Sequence, residues 1–115
     1  MTAVAAPREE AEIAVVGAGP AGCVAAANLA ELGHDVLLID KDSFPREKPC
    51  GDGLGHAAVA VAERLGLEEL VEAAPEIASA RVMIAHRRQT SIQFPRSPGR
   101  PLPRCIPRKE FDAAL

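Results

Sequence analysis

The run Ile13-Ala14-Val15-Val16-Gly17-Ala18-Gly19-Pro20-Ala21-Gly22 constrains this chain more than any other stretch. An apolar segment, a glycine turn and a helix-forming segment, in that order, specify strand, tight turn and helix. Gly17 permits the turn, Gly19 lets a backbone come close to a pyrophosphate, and Gly22 lets the helix lie against the strand. Pro20 suits the first helical turn, where its missing N–H needed no partner. Beyond Pro20 the helix start at Ala21 and Gly22 therefore offers unpaired N–H groups and a partial positive charge to an anion. A second apolar strand, Val36-Leu37-Leu38-Ile39, ends at Asp40. That is close to the ~20-residue separation at which an acidic residue takes a ribose hydroxyl. A lone G-x-G-x-x-G is weak, and a glycine-rich loop without ligand competes with it. Bracketed by two strands, it predicts a βαβ unit that binds an adenine dinucleotide.

With 115 residues the chain is long enough for one small domain. A net charge of −3 gives no electrostatic reason to expect nucleic acid. There is no Trp or Tyr, and Phe44, Phe94 and Phe111 are the only aromatics, so Ala, Val, Leu and Ile must build the core. The apolar stretch Ala21–Ala30 is interrupted by Asn28 and is too short to span a bilayer. Arg8, Glu9 and Glu10 with no apolar run before them give no secretory leader. Cys23, Cys50 and Cys105 are odd in number and lack zinc-like spacing, which fits a reducing compartment. The expectation is a soluble cytoplasmic protein without a metal site, any membrane contact being made through its substrate.

Residues 1–10 read as a loose leader. Strand one covers about Ala11 to Val16, and the first helix Pro20 to Leu32, with an Ala-rich face and Gly33 as its stop. Strand two, Asp35 to Ile39, is apolar without alternation, as when both sheet faces are covered. The connection Lys41–Gly55 is long enough to suggest function. Helical spacing (Ala58, Val61, Ala62, Leu65) follows from Gly55 to Leu67, with a stop at Gly66, and Leu67–Ala74 forms a second short helix. Ala80–Ala85 alternates as a strand, and after Arg87-Arg88-Gln89 the segment Thr90–Phe94 is its hairpin partner. Pro95–Pro103 is irregular, Cys105-Ile106 a brief buried strand, and Arg108–Leu115 the start of a helix. The class is α/β: a Rossmann-like βαβ unit, incomplete, with a small β-hairpin and a C-terminal helix start. A doubly wound sheet carries about five or six strands, so residues 11–115 are expected to be the N-terminal part of something larger, or a truncated product.

Several stretches together carry a resemblance: Gly17-Ala18-Gly19-Pro20-Ala21-Gly22-Cys23, then Asp40-Lys41, then Phe44-Pro45-Arg46-Glu47-Lys48-Pro49-Cys50-Gly51-Asp52-Gly53-Leu54. Pro107-Arg108-Lys109-Glu110-Phe111-Asp112-Ala113-Ala114-Leu115 adds an Arg-x-x-Phe-Asp-x-x-Leu helix. The chain resembles the opening of the geranylgeranyl reductase family, FAD-dependent oxidoreductases of the para-hydroxybenzoate hydroxylase-like group that also holds flavin-dependent halogenases. The resemblance implies an FAD-binding domain in which Gly17, Gly19, Pro20, Ala21 and Gly22 line the pyrophosphate. Asp40 would hold the adenosine ribose, and Lys41 would lie near the adenine end. Arg46 would approach the adenosine or pyrophosphate, since a planar donor fork suits phosphate. Cys50, Gly51, Asp52 and Gly53 would pass near the flavin ring, and Arg108 would reach back to the cofactor. It also implies NAD(P)H as transient donor and a prenyl or other lipid-like substrate.

Read from the residues alone, several assignments keep a second reading. Arg46 also fits a solvated loop charge. Cys50 is the one candidate for a chemical role, but Lys48 and Asp52 pull its thiol in opposite directions. Asp52, between two glycines, reads better as a turn residue than as a carboxylate near flavin. Cys23, on the Ala-rich helix face, reads as core. His34 complements the end of the first helix, and His34, His56 and His86 are too scattered to form a metal site. Arg81, Arg87, Arg88, Arg96, Arg100 and Arg104 lack interleaved aromatics, so they read as a solvated surface, or as attraction for an anionic substrate. Beside the reductase stand a flavin-dependent monooxygenase or halogenase, an NAD-binding dehydrogenase unit, and a non-catalytic nucleotide-binding fragment. The long Lys41–Gly55 loop argues against the plain dehydrogenase.

Overall fold

The computed structural model describes residues 10–85 and 88–115. The expected leader therefore lies outside the described residues except for Glu10, as do His86 and Arg87 of the expected hairpin turn. The chain opens with β1 (Ile13–Val16), α1 (Pro20–Glu31) and β2 (Val36–Ile39). β1 and β2 pair in parallel, with Ile13 opposite Val36 and Val16 opposite Ile39, and α1 is their crossover. The expected βαβ unit is present. α1 ends where Gly33 turns left-handed at φ +91°, letting Gly33 N–H reach Ala30 O and His34 N–H reach Leu29 O. His34 does more than face the helix end: its Nδ1 lies 3.0 Å from Glu12 Oε1, joining the exit of α1 to the start of β1.

After the Lys41–Asp52 connection come β3 (Gly53–Leu54), α2 (His56–Arg64) and α3 (Glu68–Ala73). Then follow β4 (Ser79–Ile84), β5 (Arg88–Gln93), β6 (Arg104–Cys105) and α4 (Arg108–Ala114). The six strands form three separate two-stranded sheets: β1–β2, an antiparallel β3–β6 pair, and the β4–β5 hairpin. The β3–β6 ladder, two residues long, brings Gly53 opposite Cys105, and Ile106 N–H adds a bond to Asp52 O at 2.8 Å. This closure was not expected, because two residues are too few to show a period.

The apolar centre lies around the second half of the chain. Leu54, Val59, Ala62, Val71, Ile106 and Phe111 form one buried cluster, and Leu67, Leu70, Ala74 and Leu115 pack against it. Val59 of α2 and Val71 of α3 are fully buried and hold the two helices against β3, β6 and α4, while of the expected spacing Ala58, Val61, Ala62 and Leu65 only Ala62 is buried.

Four local expectations are corrected. Cys105 is in a strand but exposed, because Arg104 and Ile106, on either side, take the inward positions. The end of β2 is open rather than covered, with Leu38 and Ile39 about two-fifths exposed and Val16 of β1 82% exposed. Arg88 and Gln89 belong to β5, opposite Ile84 and Met83, because cross-strand pairing extends nearly to the tip. Arg104 is not solvated: its side chain is only 17% exposed, bonds Ala74 O at 2.8 Å and pairs with Glu76 at 3.2 Å. Among the described residues no helix is long and apolar enough to cross a membrane.

Candidate cofactor site

Beyond β1 the chain turns at Gly17 with φ +106°, a conformation L side chains rarely take. Gly17 N–H bonds Ile39 O at 2.6 Å, extending the parallel ladder by one step past Val16. A Cβ on Gly22 would lie 1.7 Å from Gly17 O, so α1 approaches the turn more closely than any side chain allows. Gly19 is the α1 N-cap, and no side chain caps this end. Helix amides here are left for an external acceptor, and the helix dipole favours an anion. Cys23, buried one turn along, donates its thiol to Ala18 O at 3.3 Å and packs as core; burial pushes that thiol up.

Asp40 follows β2 and aims back at this turn. Its Oδ2 accepts Ala18 N–H at 2.7 Å and its Oδ1 accepts Asp42 N–H at 2.8 Å. These two bonds, that from Asp42 the larger, hold its carboxyl below the usual carboxylate range. Gly17, Gly19, Pro20, Ala21, Gly22, Asp40, Lys41 and Arg46 all line one open cleft of about 680 Å³, with Val16 and Ile39 as its apolar wall. Eight of the expected residues are thus brought together. The two apolar wall residues were not expected to take part, although their place at the strand ends was the signal.

Arg46 closes one side of the cleft. It lies over the Phe44 ring, 4.9 Å from its centroid, and its Nη1 bonds Asp42 Oδ2 at 3.0 Å. Its Nη2 stands 4.0 Å from Asp40 Oδ2 and 3.7 Å from Asp112 Oδ2, both beyond hydrogen-bond reach. Its Nε is buried and has no partner among the described residues. Arg46 is therefore no solvated loop charge, since only 15% of its side chain is exposed.

Arg108 enters from α4. Its Nε and Nη2 fork onto Asp112 at 2.6 and 2.8 Å, one helical turn on, and this bond raises its already high pKa. A Cβ on Gly19 would meet Arg46 Nη2 at 3.6 Å and Arg108 Nη2 at 4.0 Å, so both guanidinium groups face the bare α1 N-cap. Asp112, wholly buried, carried no expected role; its i,i+4 spacing from Arg108 was the available signal.

Cys50, Asp52 and Arg108 line a separate hollow of about 260 Å³ with Lys48 and Lys109. Asp52 takes a left-handed backbone at φ +57° immediately before β3, and its Oδ1 accepts Arg108 N–H at 3.1 Å, fixing the start of α4. Cys50 is exposed, and its thiol is held below the ordinary range, first by the Asp52 backbone N–H and then by Arg108. Gly53, in β3, pairs with Cys105 of β6, and Gly51 and Gly53 are both exposed and line neither cavity.

The residues present suit a dinucleotide. A bare N-cap faced by two cations suits a diphosphate, the unpartnered Arg46 Nε is a donor awaiting an acceptor, and Asp40 keeps lone pairs for hydroxyls.

Similarity to known proteins agrees with this. Menaquinone reductase of Mycobacterium tuberculosis is 59% identical over 59 residues, 51% of this chain and 14% of that protein. A digeranylgeranylglycerophospholipid reductase of Methanocella arvoryzae is 40% identical over 79 residues, 68% of this chain and 18% of that protein. Among solved structures, CmlS, a flavin-dependent halogenase, superposes with a TM-score of 0.74 at 30% identity, over 92% of this chain and 20% of that one. The chain thus spans a fifth or less of these relatives. Residues 10–115, from the approach to β1 through α4, match the model of one family as a single stretch, and this chain belongs to that family, the FAD binding domain.

Proposed function

We propose that this chain is the FAD-holding part of an oxidoreductase of geranylgeranyl reductase type, which takes electrons from NAD(P)H and reduces prenyl double bonds in a lipid-like substrate. The observation that carries it is the bare α1 N-cap at Gly19, faced by Arg46 and Arg108 and joined to Asp40 through Ala18. The relative named for a digeranylgeranyl lipid supports the substrate class.

When bound, FAD supplies two-electron hydride chemistry, and the protein contributes position and electrostatics. In this reading the backbone of Gly17, Gly19, Pro20, Ala21 and Gly22 holds the pyrophosphate. Asp40 takes the ribose hydroxyls, and Lys41 lies toward the adenine. Arg46 and Arg108 neutralise phosphate charge in a partly dehydrated cleft, where charge-assisted bonds are stronger. Cys50, Gly51, Asp52 and Gly53 pass the flavin ring, and Cys50, its thiol exposed and held below the ordinary range by the Asp52 N–H and Arg108, is the one residue of that stretch proposed for a chemical role.

A second reading, flavin-dependent halogenation or hydroxylation, is favoured by the likeness to CmlS. Purified protein settles the matter by colour and product. A yellow protein that oxidises NAD(P)H and adds two hydrogens to a prenyl chain supports the proposal. Incorporated oxygen or halide supports the second reading, and a colourless protein with NAD affinity overturns both.

A further inference from the structure

Arg46 and Arg108 come from a loop and a helix far apart in the sequence, yet their Nη2 atoms converge on the point a Gly19 Cβ would take. Two cations drawn together in a half-buried place repel, and something must hold them. The only wholly buried carboxylate that the ion pairs of the described residues show is Asp112. Its Oδ1 and Oδ2 take the fork of Arg108, while Oδ2 also stands 3.7 Å from Arg46 Nη2. On Arg108 the fork occupies Nε and one edge of the guanidinium. On Arg46 the distance is too long for a hydrogen bond, so its Nη2 is attracted but not saturated. The Asp112 side chain has no exposed surface from which to touch a ligand.

We propose that Asp112 is a positioning residue for the diphosphate: a buried carboxylate on α4 that sets Arg108 and Arg46 against the Gly19 N-cap and so acts on the ligand only through them. The inference rests on the cofactor reading above and adds the residue that orients its phosphate donors. It also explains why α4 is anchored twice, at Arg108 N–H by Asp52 and at Phe111 in the core. A drift of that helix would carry the fork away from the cleft.

The test compares ADP with adenosine, which lacks phosphate, by calorimetric titration of the protein and two variants. Asp112→Asn removes the charge, and Arg108→Lys keeps a cation but cannot fork. Each is expected to weaken ADP about tenfold or more, the scale of one charge-assisted hydrogen bond, while adenosine changes less than about twofold. A purely structural Asp112 would lower the melting temperature and weaken both ligands in proportion, and that result overturns the inference. So does ADP affinity unchanged in Arg108→Lys, which decides the matter if Asp112→Asn does not fold. If the unaltered protein takes up neither ADP nor FAD, the cofactor reading fails and this inference falls with it, a result distinct from a defect confined to the variants.

Discussion

Two glycines three residues apart respond to the same added methyl in opposite ways. At Gly22 a Cβ would enter the carbonyl of Gly17, and only a shift of backbone relieves it. Gly22→Ala should therefore cost at least about 1–3 kcal/mol of stability, read from chemical denaturation, because overpacking against a main chain has no rotamer to escape through. At Gly19 the nearest atoms are guanidinium tips at ordinary contact distance, and the backbone is extended. Gly19→Ala should cost under about 1 kcal/mol, the usual range for an N-cap change, yet lower the flavin retained through purification. Equal damage to both properties in both variants would contradict this division. Cys50 allows a pH test. Its thiol is depressed, so the thiolate persists to lower pH, and alkylation by iodoacetamide should reach half-maximal rate below the ordinary thiol value of about 8.5. Arg108→Met should move that midpoint upward, though not fully, because the larger Asp52 N–H contribution is left in place.

Elements were legible in the sequence where a period or a stop signal was long enough to register. β1, α1 and β2 carried apolar runs bounded by Gly17, Gly33 and Asp40, and α2 and α3 carried helical spacing broken at Gly66. Six of the eight cleft residues followed from the same signals, since strand ends and a helix start must meet in a βαβ unit, whereas Lys41 and Arg46 came only through the family resemblance. What stayed hidden depends on contacts between distant segments. The β3–β6 ladder joins Gly53 and Cys105 through tertiary closure, and Asp112 acquires its place only when α4 docks beside Arg46. The exposure of Cys105 was missed for the same reason, a two-residue strand having no preferred face in sequence. The element that binds these parts is β6 with its neighbour Ile106, which is 1% exposed and donates to Asp52 O. Ile106→Ala should cost about 2–5 kcal/mol, seen as a lower denaturant midpoint with unchanged slope. It should also loosen Asp52 and hence the start of α4, so the iodoacetamide midpoint of Cys50 should rise. A midpoint fixed at its original pH would show that α4 holds without that anchor.

At the scale of the molecule, the radius of gyration is 17.2 Å, whereas a compact chain of this length has about 13 Å. The difference comes from the arrangement: three small sheets rather than one, and a hairpin with few neighbours. Val16, Leu32, Met83 and Ile84 are each more than three-fifths exposed, a density of bare apolar side chains that promotes association. Light scattering of the purified 115-residue chain should show self-association that grows with concentration, and Met83→Lys with Ile84→Lys should reduce it. A monodisperse monomer at high concentration would contradict that expectation. FAD should act in the other direction on stability, raising it by about 2.7 kcal/mol at a hundredfold excess over Kd, measurable as a thermal shift.

In the proposed role Asp40 would meet an incoming sugar with its rotamer already chosen, since Ala18 and Asp42 hold one oxygen each. The entropy of orienting that acceptor was lost when the chain folded, not when the nucleotide arrives. Loosening either tether should therefore leave the rate of capture nearly untouched and shorten the residence time instead, so a stopped-flow chase, rather than an equilibrium titration, is where its influence becomes visible.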